Sequence, residues 1–122
     1  MPHTVIEYTA PLAEEFFSAD VVGVVHESLL SSGLFEAAHI CTRALCVDDF
    51  LLGELGDTAN FIHITLSLLE GRPAEQKSAL ANGIINTVKE ILPEVSSISV
   101  DIREMTRATY RKIIIPKGGS HG

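Results

Sequence analysis

The chain has 122 residues, which suits one domain with a modest core. Its net charge of −7 and pI near 5.1 argue against a nucleic-acid partner, which wants a basic face, and mean that any anionic substrate must be held by local cations. Hydrophobic residues make up 46% and mean hydropathy is +0.26, a surplus that points to surface buried against other copies of the chain. No apolar run approaches the ~18 residues of a membrane helix, and no basic region precedes an apolar stretch as in a signal peptide. The expectation is therefore a cytoplasmic protein with no membrane partner.

In chain order, Met1-Pro2-His3 comes first. A start methionine before a small residue is usually clipped, which would leave Pro2 as a free secondary amine with a fixed ring. Residues 3–9, HTVIEYT, are rich in β-formers and read as a strand that would hold this amine in place. Residues 10–12 break the pattern and 13–17 are ambiguous. Ser18 or Asp20 caps a helix whose apolar positions are Val21, Val22, Val24, Val25, Leu29 and Leu30, ending near Gly33.

A second strand is expected at 40–47, with Cys41, Arg43 and Leu45 on one face. Cys41 and Cys46 on one strand stand roughly 16 Å apart on opposite faces, so they do not pair with each other. Reduced thiols agree with a cytoplasmic location. His3, His26, His39, His63 and His121 show no metal-ligand spacing, so neither a metal nor a cofactor is expected.

Residues 61–69 are the strongest strand, with Ile62, Ile64, Leu66 and Leu68 on one face and Phe61, His63, Thr65 and Ser67 on the other. Glu70-Gly71-Arg72-Pro73 turns the chain, and Pro73 suits the first position of a helix. That helix should run to about residue 92, with Leu80, Ile84, Ile85, Val88, Ile91 and Leu92 inward. A fourth strand follows at 97–103, a short final strand at 108–115, and a flexible tail at 117–122.

The two halves echo each other: the offset from His3 to Ile40 equals that from Phe61 to Ile98. The pattern predicts an α+β fold of two tandem βαβ units, about 2–50 and 60–105, within a single domain at 1–116. They should form one four-stranded sheet with two helices on one face. The other face, carrying Val5, Phe61, Thr65 and Val47, reads as too apolar for open water, so neighbouring subunits should cover it.

An N-terminal proline on a strand, with a later strand ending Leu69-Glu70-Gly71-Arg72 before a helix beginning Pro73-Ala74-Glu75-Gln76-Lys77, resembles the tautomerase superfamily. With Gly33-Leu34-Phe35 and Ile62-His63-Ile64-Thr65-Leu66 added, the layout is most similar to the 5-carboxymethyl-2-hydroxymuconate isomerase family. The resemblance implies a homotrimer and an enol–keto isomerase acting on a 2-hydroxymuconate-type di- or tricarboxylic acid of aromatic-compound degradation. It implies Pro2 as the proton-transferring base and acid, and Arg72 and Arg43 as substrate-binding cations. The chain departs from that pattern at Cys41, where the family has a basic residue. Cys41 reads as a small hydrophobe, and His63 and Tyr110 as packing or wall residues. Two other readings stay open: another proline-dependent tautomerase, hydratase or dehalogenase of unsaturated acids, and a non-catalytic trimeric binding protein.

Overall fold

The computed structural model describes residues 2–14 and 18–117. Met1, residues 15–17 and residues 118–122 lie outside the described residues; these include part of the ambiguous stretch after β1, His121, and nearly all of the expected tail. The strands are β1 (His3–Thr9), β2 (Cys41–Val47), β3 (Phe61–Leu69) and β4 (Ser97–Met105), and the helices are α1 (Ser18–Ser31) and α2 (Ala74–Ile91). Short 3-10 turns occupy Ala10–Glu14, Ala37–His39 and Gly53–Leu55.

The sheet order is β2-β1-β3-β4. β1 runs parallel to β2, and β3 runs parallel to β4. The two halves join through an antiparallel β1–β3 ladder that sets Ile6 opposite Ile64. Each half is thus a βαβ unit, and strict alternation in β3 turns Ile62, Ile64, Leu66 and Leu68 into the core. Val21, Val25 and Leu29 of α1 and Leu80, Ile84 and Val88 of α2 close over them.

The structure corrects several expectations. Ile91 is exposed and Ile85 is only half-buried, because the buried stripe of α2 advances by four residues from Leu80 to Leu92 and leaves both at its margin. Pro73 is the N-cap, extended at φ −63° and ψ 150°, and its carbonyl accepts the amides of Gln76 and Lys77. Residues 108–115 form no strand. The amides of Thr109 and Tyr110 both donate to the Thr106 carbonyl, a turn that carries the chain off the sheet, and β propensity supplies no partner strand. Ile113 and Ile115 are consequently 82% and 79% exposed.

The uncovered sheet face is more polar than the four residues singled out in the sequence suggest. Register aligns Arg43, Val5, Thr65 and Asp101 in one row, and Leu45, Glu7, His63 and Ser99 in the next.

On the core face, Thr4 is fully buried and its Oγ1 has no hydrogen-bond partner among the described residues. An orphaned buried hydroxyl costs stability that an isosteric methyl does not. Thr4→Val should therefore raise the unfolding free energy by about 1 kcal/mol in urea titrations. A lowered midpoint would mean that the hydroxyl is bonded in solution.

Candidate active site

Pro2 is buried immediately before β1. The parallel β1–β2 ladder begins here: the amide of Cys41 donates to the Pro2 carbonyl at 3.0 Å, and His3 aligns with Cys41. His3 Nε2 and Tyr110 Oη are hydrogen-bonded at 2.9 Å, with the two rings edge to face. The His3 pKa lies below its ordinary value, first because burial disfavours the imidazolium, then because positive charge at the chain's amino end, Lys112 and Arg43 oppose it. Lys112 Nζ donates to the carbonyl of His39 at 3.2 Å. Arg43 is exposed on the uncovered sheet face, where its Nη1 approaches Cys41 Sγ at 3.7 Å.

Arg72 is built differently. After β3, Gly71 adopts φ +113°, a conformation that side chains disfavour, and this turn delivers Arg72 ahead of α2. Its Nη1 donates to Gln76 Oε1 at 2.9 Å, one turn along the chain, and its Nη2 donates to the Leu34 carbonyl at 3.0 Å. The Phe35 ring lies 4.7 Å from the guanidinium carbon, a cation–π contact that fixes the plane of the fork. Arg72 borders a cavity of about 320 Å³ whose other walls are Leu34, Phe35, Glu36, His39, Leu69 and Arg107.

The predicted residues are only partly gathered. Arg72 lines the cavity, Pro2 is not among its lining residues, and Arg43 belongs to the sheet face opposite the helices. Pro2 and Arg72 nevertheless share one end of the sheet. β1 opens opposite Ser67, two residues before the cavity wall at Leu69, and the segment from Leu34 to Cys41 holds Arg72 at one end and the Pro2 carbonyl at the other. Sequence reasoning missed Arg107 and His39 as cavity residues. No local pattern marks either, because Arg107 reaches the cavity through the turn that follows β4. Tyr110, read as a wall residue, is the hydrogen-bond partner of His3.

A larger groove of about 650 Å³ lies between α1 and α2, lined by residues such as Val24, Ser28, Leu80 and Gly83, with Glu27 as its only charged residue. Its lining offers no cation among the described residues, so the Arg72 cavity is the better host for an anion. Among the described residues, no group of three His, Cys, Asp or Glu is placed to hold a metal ion, and no helix is long and apolar enough to cross a membrane.

The His3 environment makes a direct prediction. Its ring should titrate below 6.5 when followed by NMR. Because the folded-state value is depressed, the unfolded chain takes up the proton first, so the His3 contribution to stability falls as pH drops below 6.5 and levels off beneath the folded value. A His3 titration at or above 6.5 would contradict the burial and the cationic surroundings described here.

Comparison with known proteins agrees with this fold. A crystal structure of a 5-carboxymethyl-2-hydroxymuconate isomerase from Deinococcus radiodurans R1 superposes with a TM-score of 0.81 at 22% identity, covering 92% of this chain and 88% of that one. Pt0534 inactivated by 2-oxo-3-pentynoate gives 0.79 at 17% identity over 98% and 99% of the two chains. A fused 4-OT described as a symmetric trimer gives 0.74 at 14% identity over 98% of each. At these identities the likeness establishes the fold. No curated protein matches the sequence. Residues 2–115 match the family model for 5-carboxymethyl-2-hydroxymuconate isomerase, nearly the whole chain. The chain belongs to the 5-carboxymethyl-2-hydroxymuconate isomerase family of isomerases.

Proposed function

We propose that this isomerase is an enol–keto tautomerase of a 2-hydroxymuconate-type unsaturated acid, with Pro2 carrying the proton. The observation that supports it most is the fixed Arg72 guanidinium, which borders a cavity at the same sheet end as buried Pro2. Removal of Met1 turns the Pro2 nitrogen into a secondary amine. Burial there disfavours prolinium, so the amine is available as a neutral base. It takes the proton of the substrate enol. As the carbonyl forms, the double bonds shift, and prolinium returns the proton to a distant carbon. The result is a conjugated ketone and a regenerated amine.

Arg72 has five N–H donors, two of them engaged by Gln76 and Leu34, and directs the remainder to a substrate carboxylate. Arg43 is the second candidate cation, acting from the neighbourhood of His3 and not from the Arg72 cavity. A homotrimer accords with the uncovered sheet face and with the exposure of Leu45, Leu51 and Leu55. A second reading, another proline-dependent enzyme of unsaturated acids, is favoured by Cys41. An uncharged thiol stands there beside Arg43, and it cannot replace a charged fork.

The decisive experiment is chemical. Incubation with 2-oxo-3-pentynoate should add one equivalent per subunit, and peptide mass mapping should place it on Pro2, in a chain whose intact mass lacks Met1. Activity toward the dienol should rise with pH as prolinium loses its proton. Labelling of Cys41 with Pro2 untouched and activity lost would overturn the proline mechanism. Arg72→Ala should keep the fold and cost about 2–4 kcal/mol of transition-state stabilisation, measured as kcat/KM; Arg72→Lys should recover part of it. Wild-type kcat/KM in the alanine variant would remove Arg72 from the site.

A further inference from the structure

We infer that Arg107 is a second anion-binding residue of the Arg72 cavity, and that the cavity selects a ligand with two carboxylates over one with a single carboxylate. The anionic substrate class rests on the function proposed above; the placement of Arg107 does not.

Arg107 is held by a built turn. The Glu70 amide donates to the Met105 carbonyl at 3.0 Å, the Arg107 amide donates to Glu70 Oε2 at 2.8 Å, and Arg107 Nε donates to the Glu70 carbonyl at 3.3 Å. These bonds engage the backbone and the inner nitrogen. Neither terminal nitrogen of Arg107 has a hydrogen-bond partner among the described residues. Arg72 is fixed by an amide oxygen and a carbonyl oxygen, and it too forms no ion pair among the described residues.

Two guanidinium groups without carboxylate partners among the described residues therefore border one cavity of about 320 Å³. The acid on its rim, Glu36, is 84% exposed and lies 3.2 Å from His39, leaving both guanidiniums to a ligand. In a chain of net charge −7, such a pair is a local inversion of the field. One carboxylate answers one fork; a second, at the far end of a short carbon chain, answers the other.

The test is a binding comparison that needs no turnover. trans,trans-Muconate and sorbate share a six-carbon diene skeleton and differ in carrying two carboxylates or one. Calorimetry should show muconate binding the wild-type protein about tenfold or more tightly than sorbate, as a charge-assisted contact predicts. Arg107→Gln should bring that ratio close to one, Arg107→Lys should keep part of it, and Arg72→Gln should weaken both ligands. Circular dichroism verifies that each variant is folded; a merely structural role for Arg107 would weaken both ligands alike and leave the ratio. An unchanged ratio in Arg107→Gln, or equal affinities in the wild type, would overturn the inference. If 2-oxo-3-pentynoate leaves Pro2 untouched while the ratio depends on Arg107, the proline mechanism fails and this assignment stands. If Pro2 is labelled and the ratio is unchanged in Arg107→Gln, the proline mechanism stands and the role of Arg107 falls.

Discussion

The antiparallel pairing of β1 with β3 is the constraint on which the molecule depends. It sets Ile6 against Ile64 and Thr4 against Leu66 at the centre of the core, so that both parallel crossovers pack over one sheet face. It also makes the start of one strand adjacent to the end of the other. His3 opposes Ser67, and a chain start and a turn 70 residues further on meet at one edge of the molecule. Parallel pairing of the same two strands would separate Pro2 from Arg72 by the length of a strand, about 20 Å.

Much of this was legible in the sequence because two periodicities are cleanly written. Alternation in β3 is strict in its burial, and α1 and α2 bury residues four apart, as the apolar spacing foretold. The repeat offset carried the topology, and the Gly71-Arg72-Pro73 turn carried one half of the site. The remainder was set by contacts distant in sequence. Ile113, Ile114 and Ile115 have strand propensity and no strand beside them, so propensity misled. Arg107 is exposed, follows a strand end and obeys no pattern. Only the Glu70 tether, 37 residues away, brings it to the Arg72 cavity. The face of Arg43 was legible from alternation; that this face lies away from the helices, and hence away from Arg72, follows from which side of β1 and β3 is apolar.

Charge is arranged against the chain's average. The acidic groups that come near the candidate site are spent on geometry: Glu70 on the Arg107 backbone, Glu36 on His39. Around the chain start, burial first and then the positive charge of the amino end, Lys112 and Arg43 lower the His3 pKa. If Pro2 carries the proton as proposed, the burial and the Lys112 and Arg43 charges that disfavour imidazolium at the next residue would also disfavour prolinium.

The internal repeat finally accounts for a single candidate site per chain. The counterpart of Pro2 in the second half is Asn60, the residue before β3. Its carbonyl accepts the amide of Ser97 at the head of β4 at 3.2 Å, just as the Pro2 carbonyl accepts Cys41 at the head of β2. The Asn60 side chain accepts a hydrogen bond from Thr9 at 2.9 Å. Arg72 lies three residues beyond the end of β3, and the residue three beyond the end of β1 is Leu12, which is 2% exposed within the core. The sheet end formed by Asn60 and Leu12 is thus closed by an amide and an aliphatic side chain. The end formed by Pro2 and Arg72 receives the residue before β1 from one half and a cation from the other. Neither half holds both, which is why the candidate site requires the two units in one chain, joined antiparallel.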